Sequence, residues 1–183
     1  YTTSEYWNAF PRSPMVLDMN FMGENFIIIN NHYKCCGDGE IDYSDQSDEE
    51  FRRLEGTAIL KSFVDTNLNN EKVIILGDLN DEIQEQNNNV FQLFINDENY
   101  LFADDEIANS SSSNWSWPGW NSSYSASHFD HIIINNNIYE SFNNSQSVCE
   151  TIMVENYFSG GWLEYYNNIS DHRPVILQLK FEN

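Results

Sequence analysis

Short apolar runs recur along the chain, and each is closed by polar residues. Met15 to Met19 and Phe26 to Asn30 flank Asn20-Phe21-Met22-Gly23-Glu24-Asn25, where Gly23 and Asn25 accept positive φ, so this stretch predicts a β-hairpin. Val73-Ile74-Ile75-Leu76, Ile132-Ile133-Ile134 and Val175-Ile176-Leu177 are β-branched and bounded by polar residues, as buried strands are, and a further short strand is expected around Val148 to Val154. Ser47-Asp48-Glu49-Glu50 has the spacing of a capping box. Behind it Phe51, Leu54, Ala58, Ile59, Phe63 and Val64 form an apolar stripe at helical spacing, which predicts a helix running to near Asn67. A shorter helix is expected over Val90 to Ile95. Cys35 to Asp48 reads as a surface loop, Ala108 to Ser127 as a long ordered one, and Gly160-Gly161-Trp162 as part of a loop leading to Ser170.

At 183 residues with 40% apolar content the chain fits a single domain, 1–183, with a real core. The formal net charge of -21 repels polyanions, so a phosphate substrate must be met by bound cations or a few local bases. No apolar run reaches 18 residues, which gives no transmembrane segment. Tyr1-Thr2-Thr3-Ser4 is not a signal peptide, and the missing initiator Met suggests a processed chain or a fragment. Cys35, Cys36 and Cys149 allow one disulfide, from Cys149 to Cys35 or Cys36, in an oxidising compartment; in a reducing one they are three thiols.

Candidate chemistry gathers at the ends of the apolar runs. Asn30-Asn31-His32 and Gly77-Asp78-Leu79-Asn80 follow a strand, whereas Asp130-His131 and Ser170-Asp171-His172 precede one. If the second pair of strands runs antiparallel to the first, all four clusters meet on one rim of a sheet. Asp78 and Asp171 suit a sparse site for a hard divalent ion, Mg²⁺ or else Mn²⁺ or Ca²⁺, and Asn80 suits metal or phosphate. His172 paired with Asp130 would have a fixed tautomer and serve as a general base, with His32 across the phosphate. Each cluster also has a plain reading as a turn or strand entry, and His131 reads as structural or exposed, since a strand starting at Phe129 should send it away from Asp130.

The ordered set Asn30-x-His32, Gly77-Asp78-Leu79-Asn80, Asp130-His131 and Ser170-Asp171-His172-Arg173-Pro174 resembles the motifs of the endonuclease/exonuclease/phosphatase superfamily. The resemblance implies an α/β fold: a four-layer sandwich of two mostly antiparallel sheets covered by helices, incomplete here on the N-terminal side. It implies a divalent-metal-dependent phosphoester hydrolase in which Asp171 is a metal ligand and Asp78 and Asn80 bind metal or phosphate. By the same resemblance His172 with Asp130 activates water, His32 is the second catalytic histidine, and Arg12 lies near the phosphate, although Arg12 reads equally well as a lone surface arginine. The family's first half, with an Asn and a metal-binding Glu, has no counterpart ahead of Tyr1. The expectation is therefore a fragment that binds metal weakly, has little activity and exposes apolar surface.

A nuclease or phosphodiesterase, secreted or periplasmic and monomeric, acting on nucleic acid, is the leading expectation. Sphingomyelin and phosphate monoesters remain open as substrates, as does a silent binding module of the same fold. The loop from Trp115 to Trp120 either stacks on a ligand or lipid surface or packs onto the sheet. The acids Asp38, Glu40, Asp42, Asp45 and Asp48 lack the spacing of an EF-hand and read as a solvated loop.

Overall fold

The computed structural model describes residues 8–119 and 125–181. Among the described residues there are seven strands: β1 (Met15–Phe21), β2 (Glu24–His32), β3 (Lys72–Asp78), β4 (Tyr100–Phe102), β5 (Asp130–Asn135), β6 (Val148–Thr151) and β7 (Val175–Gln178). Helices α1 (Glu49–Asn67), α2 (Gln92–Ile95), α3 (Asp105–Ala108), α4 (Tyr139–Phe142) and α5 (Gly161–Asn168) connect them. The larger sheet has the order β1-β2-β3-β5-β4, and β6 pairs with β7 in a second, smaller sheet. Among the described residues only β2 and β3 pair in parallel, because α1 carries the chain back to the start of the sheet between them.

Both faces of the larger sheet are covered, which explains uninterrupted Ile and Val runs in place of alternation. On one face Ile27, Ile29, Val73, Ile75 and Ile133 pack with Leu60 and Val64 of α1 and with Phe91 and Phe94. On the other, Ile132 and Ile134 pack with Ile74, Leu76, Cys149, Val175 and Leu177, so the smaller sheet lies against the larger. Each such side chain contributes roughly 1.5–3 kcal/mol by leaving water. The result is the expected α/β sandwich of two mostly antiparallel sheets. Met15, Val16 and Leu17 on the edge strand β1, with Phe21 and Met22 beyond them, present apolar surface to solvent. No helix among the described residues is long and apolar enough to cross a membrane.

Several local expectations are corrected. Asp48 caps α1, taking the Phe51 amide at 2.7 Å, while Ser47 donates to Asp45. The buried side of α1 is Glu50, Arg53, Gly56, Thr57, Leu60 and Val64, a face rotated from the predicted stripe. Polar residues win those positions because Arg53 is needed between two loops, as shown below. Gly161–Asn168 is a helix rather than a loop, and β4 and α3 lie where no element was expected. The strand at Val148 ends at Thr151, not at Val154.

The acidic loop spends its carboxylates on its own backbone. Asp38, Asp42 and Asp45 each accept an amide two residues on, from Glu40, Ser44 and Ser47. Cys35, Cys36 and Cys149 are all free: the first two are exposed, whereas Cys149 packs between the sheets. In the tryptophan loop, Trp115 donates to the Ile107 carbonyl and Trp117 stacks on Phe129, which is packing onto the sheet. Trp120 lies outside the described residues.

Candidate active site

Three strands deliver three side chains in one row. His32 on β2 is in register with Asp78 on β3, and Asp78 with Asp130 on β5. Residues in direct register point to the same face, so the three converge at one rim. Gly77 lets β3 end this way. Its φ is 134°, and a Cβ there would lie 1.9 Å from the Asn31 carbonyl oxygen, so no other residue fits without moving β2.

From the second sheet, the entry to β7 brings His172. Its Nδ1 lies 2.6 Å from Asp130 Oδ2. One oxygen of Asp78, one of Asp130 and one nitrogen of His172 lie within 4.8 Å of one another, and His32 Nε2 is 3.5 Å from Asp78 Oδ2. Burial and the charge of Asp130 raise Asp78 above the usual carboxylate range. Burial would raise Asp130 as well, but the hydrogen bond and charge of His172 outweigh it and hold Asp130 low. Burial acts against the charged imidazole of His172, and its bond to Asp130 more than reverses this, so His172 is raised. The rim is thus a pocket of negative potential with one carboxylate, Asp78, incompletely compensated.

Of the other expected residues, Asn80 contacts Asp78 and Asp171 neighbours His172. Asn80 takes a left-handed conformation at φ 53°, donates its amide to Asp78 Oδ1 at 3.1 Å and its side chain to the Tyr33 carbonyl at 3.3 Å. Asp171 is half-buried beside His172 and adds to the negative field around that imidazole. Arg12 is exposed ahead of β1 and forms no ion pair among the described residues.

Behind the rim stand residues with no motif to announce them. Arg53 is buried and donates Nε to Asp81 at 2.7 Å and Nη1 to the carbonyls of Lys34 and Cys36 at 2.9 and 2.8 Å. One guanidinium therefore ties the loop after His32 to the loop after Asn80. Asp104 is wholly buried and accepts from His131 Nδ1 at 2.7 Å, from His128 Nε2 at 3.0 Å and from the Ile132 amide at 2.7 Å. His131 Nε2 faces the Asp81 carbonyl at 2.8 Å. Both its nitrogens meet acceptors, so His131 is an imidazolium paired with Asp104. His128 Nδ1 receives the Ser116 amide, so that ring is neutral with its proton on Nε2, and no lone pair is left to ligate a metal.

Ser116 links this cluster to the rim. Its Oγ accepts the amides of Phe129 and Asp130 at 3.3 Å, and its carbonyl accepts the Arg173 amide at 2.7 Å. Arg173 in turn holds Glu155 at 2.7 Å and the carbonyls of Ser113 and Trp115. The tryptophan loop is thereby a brace between the strands bearing Asp130 and His172. Asp104 offered no signal beyond being one acid among many; the pairing of His128 and His131 three apart at a strand start was the one available hint.

No family model matches the chain, and no curated protein is similar to it in sequence. Solved structures do resemble it. Zebrafish TDP2 (D. rerio), solved with a single-strand DNA product, is 13% identical with a TM-score of 0.60 and covers 91% of this chain and 60% of its own. An AP endonuclease from Archaeoglobus fulgidus is 10% identical with a TM-score of 0.60, over 91% of this chain and 65% of that one. An endonuclease/exonuclease/phosphatase family protein from Bacteroides thetaiotaomicron is 16% identical with a TM-score of 0.52, over 88% and 52%. At these identities the likeness is one of fold. The chain spans about 50–65% of the length of these proteins.

Proposed function

We propose that this protein is a divalent-metal-dependent phosphoester hydrolase that works through the His172 and Asp130 pair. The observation that carries the reading is the convergence of Asp78, Asp130 and His172, from three separated strand ends, on one rim of a fold shared with phosphoesterases. Asp130 takes the Nδ1 proton of His172 and so fixes the tautomer in which Nε2 carries the lone pair. That nitrogen accepts a proton from the attacking water. The positive charge then formed on the ring is stabilised by Asp130, whose backbone amide donates to the Ser116 hydroxyl oxygen. His32, across Asp78, donates to a phosphate oxygen or to the leaving group.

The donor set fits a hard divalent cation. Asp78, raised by burial and by its neighbour Asp130, is a carboxylate that gains from a cation beside it, and Asn80 next to it and Asp171 beside His172 are further oxygen donors. Mg²⁺ bound there would neutralise charge on the phosphoryl group in the transition state. A net charge of -21 makes tight nonspecific binding of duplex DNA unfavourable. The reading therefore favours a phosphodiester presented locally, such as a strand end or a single strand. TDP2 with its single-strand product supports that choice by analogy of fold alone. Hydrolysis of bis-p-nitrophenyl phosphate, plasmid DNA, single-stranded DNA and sphingomyelin by the full-length protein, with Mg²⁺ and with chelator, tests it. Activity undiminished in chelator would contradict the metal-dependent reading.

A further inference from the structure

Cys35 and Cys36 are adjacent, exposed and turned toward each other, with Cys36 Sγ donating to Cys35 Sγ at 3.0 Å. Neighbouring residues on extended backbone point to opposite sides, so two facing thiols require a bent conformation. Cys36 supplies it with a φ of 74°, a left-handed value that is strained for a residue other than glycine. The bend is held from below. Arg53 Nη1 binds the carbonyls of Lys34 and Cys36, on either side of Cys35, and Arg53 is itself fixed by Asp81. Residues in such strained conformations persist where the surroundings over-determine them.

From this geometry we infer that Cys35 and Cys36 form a reversible redox site, a vicinal dithiol that closes to a disulfide by exchange with a small-molecule disulfide such as oxidised glutathione. The Cys35 thiolate attacks one sulfur of the external disulfide and releases one thiolate. Cys36 Sγ, already in contact, then attacks Cys35 Sγ and expels the second. Two protein thiols are oxidised, the external disulfide is reduced to two thiols, and the two protons leave with them. Lys34 Nζ, 3.9 Å from Cys35 Sγ, places a cation beside the sulfur where exchange develops negative charge.

The product is a switch rather than a staple. Consecutive Cα atoms across a trans peptide are about 3.8 Å apart, below the roughly 4.4–6.8 Å at which disulfides are relaxed, so the bond reopens readily. Cys149, packed between the sheets with its thiol pushed up to about 12 by burial, takes no part. The site lies on the loop that follows His32, and does not depend on the hydrolase reading.

Tryptic peptide mass spectrometry tests this on protein equilibrated in glutathione buffers of increasing oxidising strength, then alkylated. Cleavage after Lys34 and Arg52 puts both thiols in the 35–52 peptide and Cys149 in another. The expected result is a 35–52 peptide lighter by two hydrogens and free of alkyl groups, in wild type and in Cys149→Ser alike. In Cys36→Ser the same peptide instead retains one glutathione on Cys35. Reduced wild type should also hold one phenylarsine oxide per chain, with loss of one water, and Cys36→Ser should not. A wild-type peptide that remains doubly alkylated in the most oxidising buffer, accumulates glutathione without closing, or pairs with Cys149 overturns the inference.

Discussion

Asp130 and His172 lie 42 residues apart and on different sheets, yet Asp130 Oδ2 and His172 Nδ1 meet at 2.6 Å. The contact joins the end of the larger sheet to the entry of the smaller one, so the two halves of the sandwich supply one acid-base unit. Replacing the carboxylate by an amide keeps the shape and removes the charge. Asp130→Asn should lower kcat for phosphodiester hydrolysis by at least about a hundredfold, within the range general-base catalysis contributes. The check is steady-state kinetics beside a circular dichroism spectrum that matches wild type.

Asp78 should be the carboxylate that a cation needs most, because it is the one raised by burial and by Asp130. Calorimetric titration with Mg²⁺ or Mn²⁺ should show Asp78→Asn binding at least about tenfold more weakly than wild type. Equal affinity in the two proteins would remove Asp78 from the metal site.

The Asp104 and His131 pair is a stability element. Both side chains are wholly buried, and Asp104→Asn leaves an imidazolium in the interior without its counter-charge. Losing one partner of such a pair costs about 3–5 kcal/mol, which urea unfolding would register as a lower midpoint at unchanged slope. An unchanged midpoint would mean that His131 is neutral.

The strands and the convergence of the candidate residues were legible for the same reason. Ile27, Val73, Ile133 and Val175 sit in runs that only a covered sheet can bury, and His32, Asp78, Asp130 and His172 stand at their ends. Register did the rest, since the row from His32 to Asp130 follows once β3 lies between β2 and β5. The support behind the rim was not legible. Arg53 and Asp104 are ordinary charged residues in sequence, and their roles arise from three-dimensional meetings with Asp81, Lys34, Cys36 and His131 that no local pattern encodes. The same cause rotated α1: Arg53 and Thr57 face inward where an apolar stripe alone would put Phe51 and Ala58.

Glu85 gives a pH-dependent prediction away from the rim. Burial and the charge and hydrogen bond of Asp81 raise it to about 8. The folded protein therefore holds this proton more tightly than the unfolded chain, whose Glu titrates near 4.5. Stability from the protonated form is complete below about 4.5 and is lost as pH rises through about 8. Glu85→Gln should match wild type in Tm near pH 4 and exceed it at pH 9. The gain should be on the order of 1 kcal/mol, because the group is only partly buried and solvent screens it. A constant difference across that range would contradict the assignment.

The most direct test of the hydrolase reading is kcat/KM for bis-p-nitrophenyl phosphate in Mg²⁺, compared between wild-type full-length protein and His172→Ala. Metal-dependent turnover in the wild type and a loss of at least about a hundredfold in the variant are expected. Wild-type turnover in His172→Ala, with the fold intact, would contradict it.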